Sequence, residues 1–559
     1  MKGTVFIEGT AAGPLLFADL GLSFMGGVDP STGVVTDTHH PLRGQSITGN
    51  ILAIPSGRGS CAGSLVIFEL LTNGHAPKAF LFRRKEVILT LGVMIANELM
   101  GLGIPIVCLE EEDFNMLGLY PEAIIQGRTI SVFDGSKDFQ LSHYDQACLD
   151  GKHGEAVRVA TRIVIRAAQL EGSNTLIDVD MAHIDGNFYQ GPGSLLFARR
   201  LVDMSAHVKI PSTMNAICID RKLWRDQGVL EALGLPSEEL AECYVKMGVR
   251  GTYTCAPYLL DEAPLFGQQI AWGESNAVVF ANSVLGARTL KYPDYLDILV
   301  AITGRAPYAD CHVTSMRKAT TCIVVSVAAV DDSFWPLLGY HVGKIATNDI
   351  PVICGLANLT VDADDLRAFG AAFATTSAAA MFHIVGITPE ASTVEEACLG
   401  QQPTRHVEIG PTELEETWRE LNTSISDDVD LIALGNPHFS LTEIGRLAYL
   451  CMGKRIALNT SMVVTCGETV FEKASKKGFV QTINDFGGTF LNDTCWCLIG
   501  EPVVERRVKN IVTNSGKYAH YGPAAVQKGF HFGSLERCVD AACTGSIDRS
   551  LPIWLLSMK

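Results

Sequence analysis

At 559 residues the chain is too long for one ordinary core, and two to four domains are expected. With 47% hydrophobic and 19% charged residues it has the apolar material of a large folded protein, which excludes an extended disordered chain. Its 61 acidic residues outweigh 44 basic ones for a net charge of −17, and no Lys/Arg stripe interrupts that balance. RNA or DNA binding is therefore disfavoured, because a nucleic-acid partner needs a basic footprint, whereas a local basic pocket for a small anion is not.

Met1-Lys2-Gly3-Thr4 leads straight into a strand-like Val5-Phe6-Ile7, so no secretory leader is expected. β-like runs follow at Thr4 to Glu8, Ile51 to Pro55, Ala79 to Phe82, Ile104 to Leu109 and Thr129 to Phe133. Helical patterns cover Leu65 to Leu71 and Lys85 to Gly101. Residues 1–135 thus read as a compact β-rich domain, closed by the polar break Gly135-Ser136-Lys137-Asp138, with a linker over 136–150.

From 151 to 559 the pattern alternates between α and β, and the fold class expected is α/β. Glu155 to Leu170 has helical spacing, Pro236-Ser237-Glu238-Glu239 is read as opening a helix, and a strand is expected over Val249 to Thr254. Phe369 to Thr388, uncharged but rich in Ala, Gly, Thr and Ser, predicts an interior helix rather than a membrane span. Asp430 to Gly435 reads as a buried strand, followed by Asn436-Pro437-His438 and by a capping box of Ser440 with Glu443 that opens the next helix.

The sixteen cysteines are irregularly scattered, as in a reducing compartment, and a cytosolic protein is expected. There is no C-x-x-C, and the one tight pair is Cys495-Trp496-Cys497. A zinc ribbon and local ferredoxin spacing are excluded, so an iron–sulfur site would have to gather thiolates from distant loops.

Several polar clusters sit where strands end. Gly57-Arg58-Gly59-Ser60-Cys61-Ala62-Gly63-Ser64 is a glycine-rich turn before a helix, suited to close backbone approach to an anion or to a tight turn alone. His183 with Asp185 could transfer a proton or merely bond locally. Trp272-Gly273-Glu274-Ser275-Asn276, Gly339-Tyr340-His341-Val342-Gly343-Lys344 and Thr513-Asn514-Ser515-Gly516-Lys517 are further candidates, the last for a carboxylate. His39-His40 reads as exposed or substrate-facing. Asn492-Asp493-Thr494-Cys495 could present a soft metal ligand or a buried free thiol.

In chain order these segments resemble the aconitase X family. Leu22 to Pro30 and Gly57 to Ser64 resemble its small swivelling domain. Thr254-Cys255-Ala256-Pro257-Tyr258, Ala271 to Ser275, Gly339 to Lys344, Pro437-His438, Asp493-Thr494-Cys495 and Thr513 to Lys517 resemble its large domain. The resemblance implies a swivel domain fused ahead of a large multi-layer α/β catalytic domain. It further implies a hydro-lyase dehydrating cis-3-hydroxy-L-proline to 1-pyrroline-2-carboxylate, with mevalonate 5-phosphate or another 3-hydroxy acid as the alternative substrate and an iron-sensing RNA binder as the alternative class. Fusion of the two domains, and Asn436 where the mevalonate branch has Cys, both favour hydroxyproline.

The implied cofactor is an iron–sulfur cluster acting as Lewis acid, [2Fe-2S] in the hydroxyproline branch with [3Fe-4S] or [4Fe-4S] as alternatives. Its expected ligands are Cys255, Cys354 and Cys495, with Cys466 and Cys497 in reserve. Ser60 is the implied base, Arg58 its electrostatic support, and Lys344 and His183 are further catalytic candidates. Ser64, Gly59, Glu274, Ser275, Asn514, Ser515 and Lys517 are expected at the substrate. A small hydroxy or imino acid is the expected partner, without nucleic acid or membrane, and the expected state is a monomer.

Overall fold

The computed structural model describes residues 3–125, 131–132 and 139–558. The polar break expected at Gly135 to Asp138 lies outside them, as does the strand expected at Thr129 to Phe133 apart from Ser131–Val132. The N-terminal domain is built on a seven-stranded sheet. Its middle strands Ala11–Phe17, Ile51–Ile54, Ala79–Phe82 and Ile106–Leu109 run parallel. Parallel neighbours need crossovers, and helices Gly63–Thr72 and Ile88–Met100 supply two of them.

Both faces of this sheet are covered. Leu52, Ile54, Phe80 and Phe82 enter one core with the helices, while Ile51, Ala53, Ala79 and Leu81 enter another with Phe114 and Leu117. Burial on both sides explains why these strands read as unbroken apolar runs rather than alternating ones. Strand Ala11–Phe17 escapes sequence reading because Ala, Gly and Pro fill half of it.

The rest of the chain carries three parallel sheets. In the first, Ala182–Ile184 lies between Ser212–Met214 and Ala271–Trp272. In the second the order is His383–Ile384, Pro351–Cys354, Thr321–Val325, Arg405–Ile409. The third runs Gly488–Asn492, Ser461–Cys466, Leu431–Leu434, Asn510–Thr513, Gly529–Phe532. Each sheet begins in its interior and later reverses direction, and such reversals open a crevice at the carboxyl ends of the strands. In the first sheet that crevice is followed by Asp185, Asn215 and Gly273-Glu274; in the third, by Gly435-Asn436 and Asn514 to Lys517.

Three local expectations change. The helix expected to open at Pro236 starts earlier, spanning Glu231–Lys246 with Pro236 inside it, where the ring forgoes the N–H bond to the Ala232 carbonyl; Ser237 Oγ donates to the Leu233 carbonyl. Val249 to Thr254 forms no ladder; Arg250 makes an isolated bridge to Thr213. Phe369 to Thr388 divides into the end of helix Ala363–Thr376 and strand His383–Ile384.

The swivel domain docks through helix Gly63–Thr72. Glu69 Oε2 accepts the Gly193 N–H at 2.8 Å at the start of helix Pro192–Asp203, and Gly191 and Gly193 leave no room for a Cβ beside that carboxylate. Ser64 Oγ donates to the Asp294 carbonyl at 3.0 Å, and the Asp294 N–H donates to the Cys61 carbonyl at 3.4 Å.

Candidate active site

A small cavity of about 60 Å³ lies where the first and third sheets meet the swivel domain. Ser60, Met25 and Gly26 close it from the swivel side, Asp185, Asn215 and Glu274 come from strand ends of the first sheet, and Cys255, Cys495, Cys497, Lys517 and Tyr521 complete the wall.

Glu274 is the N-cap of helix Ser275–Phe280, its Oε2 taking the N–H groups of Asn276 at 2.7 Å and Ala277 at 3.0 Å. Its Oε1 accepts from Lys517 Nζ at 2.8 Å, an ion pair with both side chains under a tenth exposed. Burial is the largest influence on Lys517 and opposes its charge, but Glu274 together with Cys497 and Cys495 holds the ammonium well above its ordinary pKa. Asp185, Asp294 and Asp297 form a buried carboxyl group behind this pair. Desolvation, reinforced by neighbouring Glu274, pushes Asp185 up to about 8; burial lifts Asp297 to about 6 and Asp294 well above the carboxylate range.

Three thiols meet in the same wall. Cys255 and Cys495 share a small apolar cluster with Ala216 and Cys497, and the Cys255 thiol beside Cys495 and the Cys495 thiol beside Cys497 raise those two pKa values. Asn436 Nδ2 donates to Cys495 Sγ at 3.4 Å and Cys497 Sγ at 3.1 Å, and the His438 N–H to Cys255 Sγ at 3.3 Å. Among the described residues no group of three His, Cys, Asp or Glu is already disposed around a single ion. Three convergent soft donors with N–H groups on the sulfurs nevertheless have the chemistry of an iron–sulfur site.

Ser60 sits in the turn before helix Gly63–Thr72, and its Oγ accepts the Ala62 N–H at 3.2 Å. Gly59 holds φ +83, and a Cβ there would press on Ser23 Oγ and Tyr521 Oη, so the turn needs glycine to approach the wall. Ser515 caps helix Gly516–Val526 through Tyr518 N–H at 3.1 Å, placing Lys517 in its first turn. Ser275 is buried at the first position of the Glu274-capped helix, and Ser64 spends its hydroxyl on the Cys61 and Asp294 carbonyls.

The remaining expected residues lie elsewhere. Arg58 pairs with Asp37 at 2.8 Å and, with Lys344, which pairs with Glu420, faces a separate cleft of about 530 Å³ between the swivel domain and the second sheet's helices. His183 is fully buried, bonded to Thr213 Oγ1 at 2.8 Å, and held neutral with its pKa near 3 by desolvation. Asn514 lines a third cleft with Asp364 and Arg446. Cys354 packs on Cys322, Sγ to Sγ 3.8 Å, beside Cys398 in the second sheet, apart from the other thiols. Cys466 bonds to Asn492 Oδ1 at 3.5 Å and does not line the cavity. Conversely, Asn215, Asp294 and Asp297 had no local signal beyond a polar residue after an apolar run, and Cys497 had its spacing from Cys495.

Models of the aconitase X swivel, first, second and third domains match residues 1–132, 138–315, 319–419 and 429–544. Cis-3-hydroxy-L-proline dehydratase of Hypocrea jecorina is 49% identical across 100% of this chain and 97% of its own length. The enzyme of that name from Pseudomonas aeruginosa is 46% identical over 98% and 97%. The crystal structure of Thermococcus kodakaraensis aconitase X in its holo-form superposes with a TM-score of 0.65 at 29% identity, covering 72% of this chain and 100% of that one. With its swivel domain fused ahead of a large α/β region, this chain belongs to the aconitase X family and is a hydro-lyase.

Proposed function

We propose that the chain dehydrates cis-3-hydroxy-L-proline, giving an enamine that tautomerises to 1-pyrroline-2-carboxylate. The observation that carries this reading is the near-half identity to two enzymes of that name along the whole fused chain. The cavity supports it: no Arg lines it among the described residues, and its lining cation, Lys517, is already paired with Glu274. A phosphate ester with two negative charges would lack the donors it needs there.

In this reading Ser60 removes the Cα proton. The Ala62 N–H and the N-terminal end of helix Gly63–Thr72 stabilise the alkoxide it must approach, while Arg58, committed to Asp37, gives no direct help. Lys517, which gives one of its three N–H bonds to Glu274, and the N–H groups at the start of helix Gly516–Val526 receive the single charge of the substrate carboxylate as charge develops on the enolate-like intermediate. Cys255, Cys495 and Cys497 hold a cluster, [2Fe-2S] by preference, in place of a set containing Cys354. Bound there, it supplies a Lewis acid at the departing hydroxyl.

Side-by-side turnover on cis-3-hydroxy-L-proline and mevalonate 5-phosphate tests the assignment. Pyrroline formation from the first and no water loss from the second is expected; the reverse would overturn it.

A further inference from the structure

The cavity wall has more hydrogen-bond acceptors than its own donors can satisfy. Asp185 and Asn215 follow adjacent parallel strands, and Asn215 Nδ2 donates to Asp185 Oδ1. In that arrangement Asn215 Oδ1 is buried with no donor. Behind them Asp294 is fully buried against Asp185, and burial with that neighbour pushes its carboxyl well above the carboxylate range, so it keeps its proton. The charged groups facing Asp185 are Glu274, Asp297, Asp294 and Lys517. Lys517 is held by Glu274 at 2.8 Å, and the next ammonium, Lys291, donates to the Ser377 carbonyl at 2.9 Å. Asp185 thus stands among three further carboxyl groups, and the two ammonium groups near it each already give a bond to the protein. Orphaned buried acceptors in a reacting cavity call for a donor that arrives with the ligand.

We infer that Asp185 and Asn215 form the seat of the substrate's ring ammonium, each accepting one of its two N–H bonds. The inference rests on the dehydratase reading above and names the part of the substrate that the wall selects. A secondary ammonium presents two N–H donors and one positive charge; the seat presents two acceptors and a carboxyl group. Cα is bonded to that nitrogen, so fixing the nitrogen fixes the carbon whose proton leaves. Burial and the neighbouring Glu274 push Asp185 up to about 8, and an arriving cation lowers it again, its proton passing to solvent. The seat therefore becomes charged only against a cation, which favours an imino acid over a hydroxy acid of the same shape.

The test is calorimetric binding of L-proline and of (S)-tetrahydrofuran-2-carboxylate, which has oxygen in place of the ring nitrogen, to the iron-loaded enzyme. The wild-type protein is expected to prefer proline by at least about tenfold, the scale of one charge-assisted hydrogen bond. In Asp185→Asn that ratio should collapse toward one, with affinity for the oxygen analogue changed less than about threefold. A preserved preference in Asp185→Asn would overturn the seat while leaving the dehydratase reading intact, provided the wild type turns over cis-3-hydroxy-L-proline. If the wild type neither turns over that substrate nor binds proline, the dehydratase reading fails and the seat with it. Should Asp185→Asn not fold, Asn215→Ala carries the same comparison: a reduced proline ratio supports the seat and an unchanged one removes it.

Discussion

Ser60→Ala is expected to lower kcat by about 10²- to 10⁴-fold, the usual contribution of a positioned base, while iron content and visible absorption stay at wild-type levels. The separation is possible because Ser60 Oγ touches the Ala62 N–H and no thiol, so its loss leaves the cysteine wall alone. Exchange of the substrate's Cα hydrogen with deuterium from solvent reads the same step without the departure of hydroxide, and it should fall with kcat. Turnover and exchange near wild type would remove Ser60 as the base and turn attention to Asp185, a carboxyl group in the same wall that burial pushes up to about 8.

Cys497→Ala is expected to lose bound iron and bring turnover to background, whereas Cys354→Ser keeps both. Cys497 lies beside Cys495 and receives the Asn436 amide at 3.1 Å; Cys354 packs on Cys322 in the second sheet, apart from those thiols. A thiol ligates iron as thiolate, so the sulfurs that converge on N–H donors are the better placed. Iron analysis of the two purified variants decides it. Retained iron in Cys497→Ala with loss in Cys354→Ser would return Cys354 to the ligand set.

The fold was legible where burial is two-sided: Ile51–Ile54, Ala79–Phe82 and Leu431–Leu434 are apolar runs because both faces of their sheets are packed. So were the caps, since Ser440 with Glu443 closes its box as the spacing implied. The lining of the candidate cavity was legible in Glu274, Ser60, Lys517 and the Cys255 and Cys495 segments. Arg58, Lys344 and Cys354 went elsewhere for one reason. Each lies in a polar or sulfur-bearing motif at a strand end or helix, but local pattern does not say which of several sheet crevices it faces. Asn215, Asp294 and Asp297 were hidden for the converse reason: the first sheet and the swivel loop bring them together across long separations in sequence.

The contact between Glu69 and the glycines at 191 and 193 has a thermodynamic meaning. Glu69 is buried with Oε1 unsupplied, a cost that water would relieve on opening, so the closed state is held by the rest of the contact. Separation of the swivel would expose the apolar face of helix Gly63–Thr72, whose Leu65, Val66, Phe68 and Leu70 share one core with Ala160, Val164, Phe197 and Leu201, and would break the Ser64–Asp294 bond, so partial opening is not a low-energy state. Heating should therefore melt the molecule as a single cooperative block, with one calorimetric peak; a distinct early transition for the swivel would show that the two domains fold independently. In that respect the N-terminal domain serves less as a hinged cover than as a permanent wall of the cavity it closes.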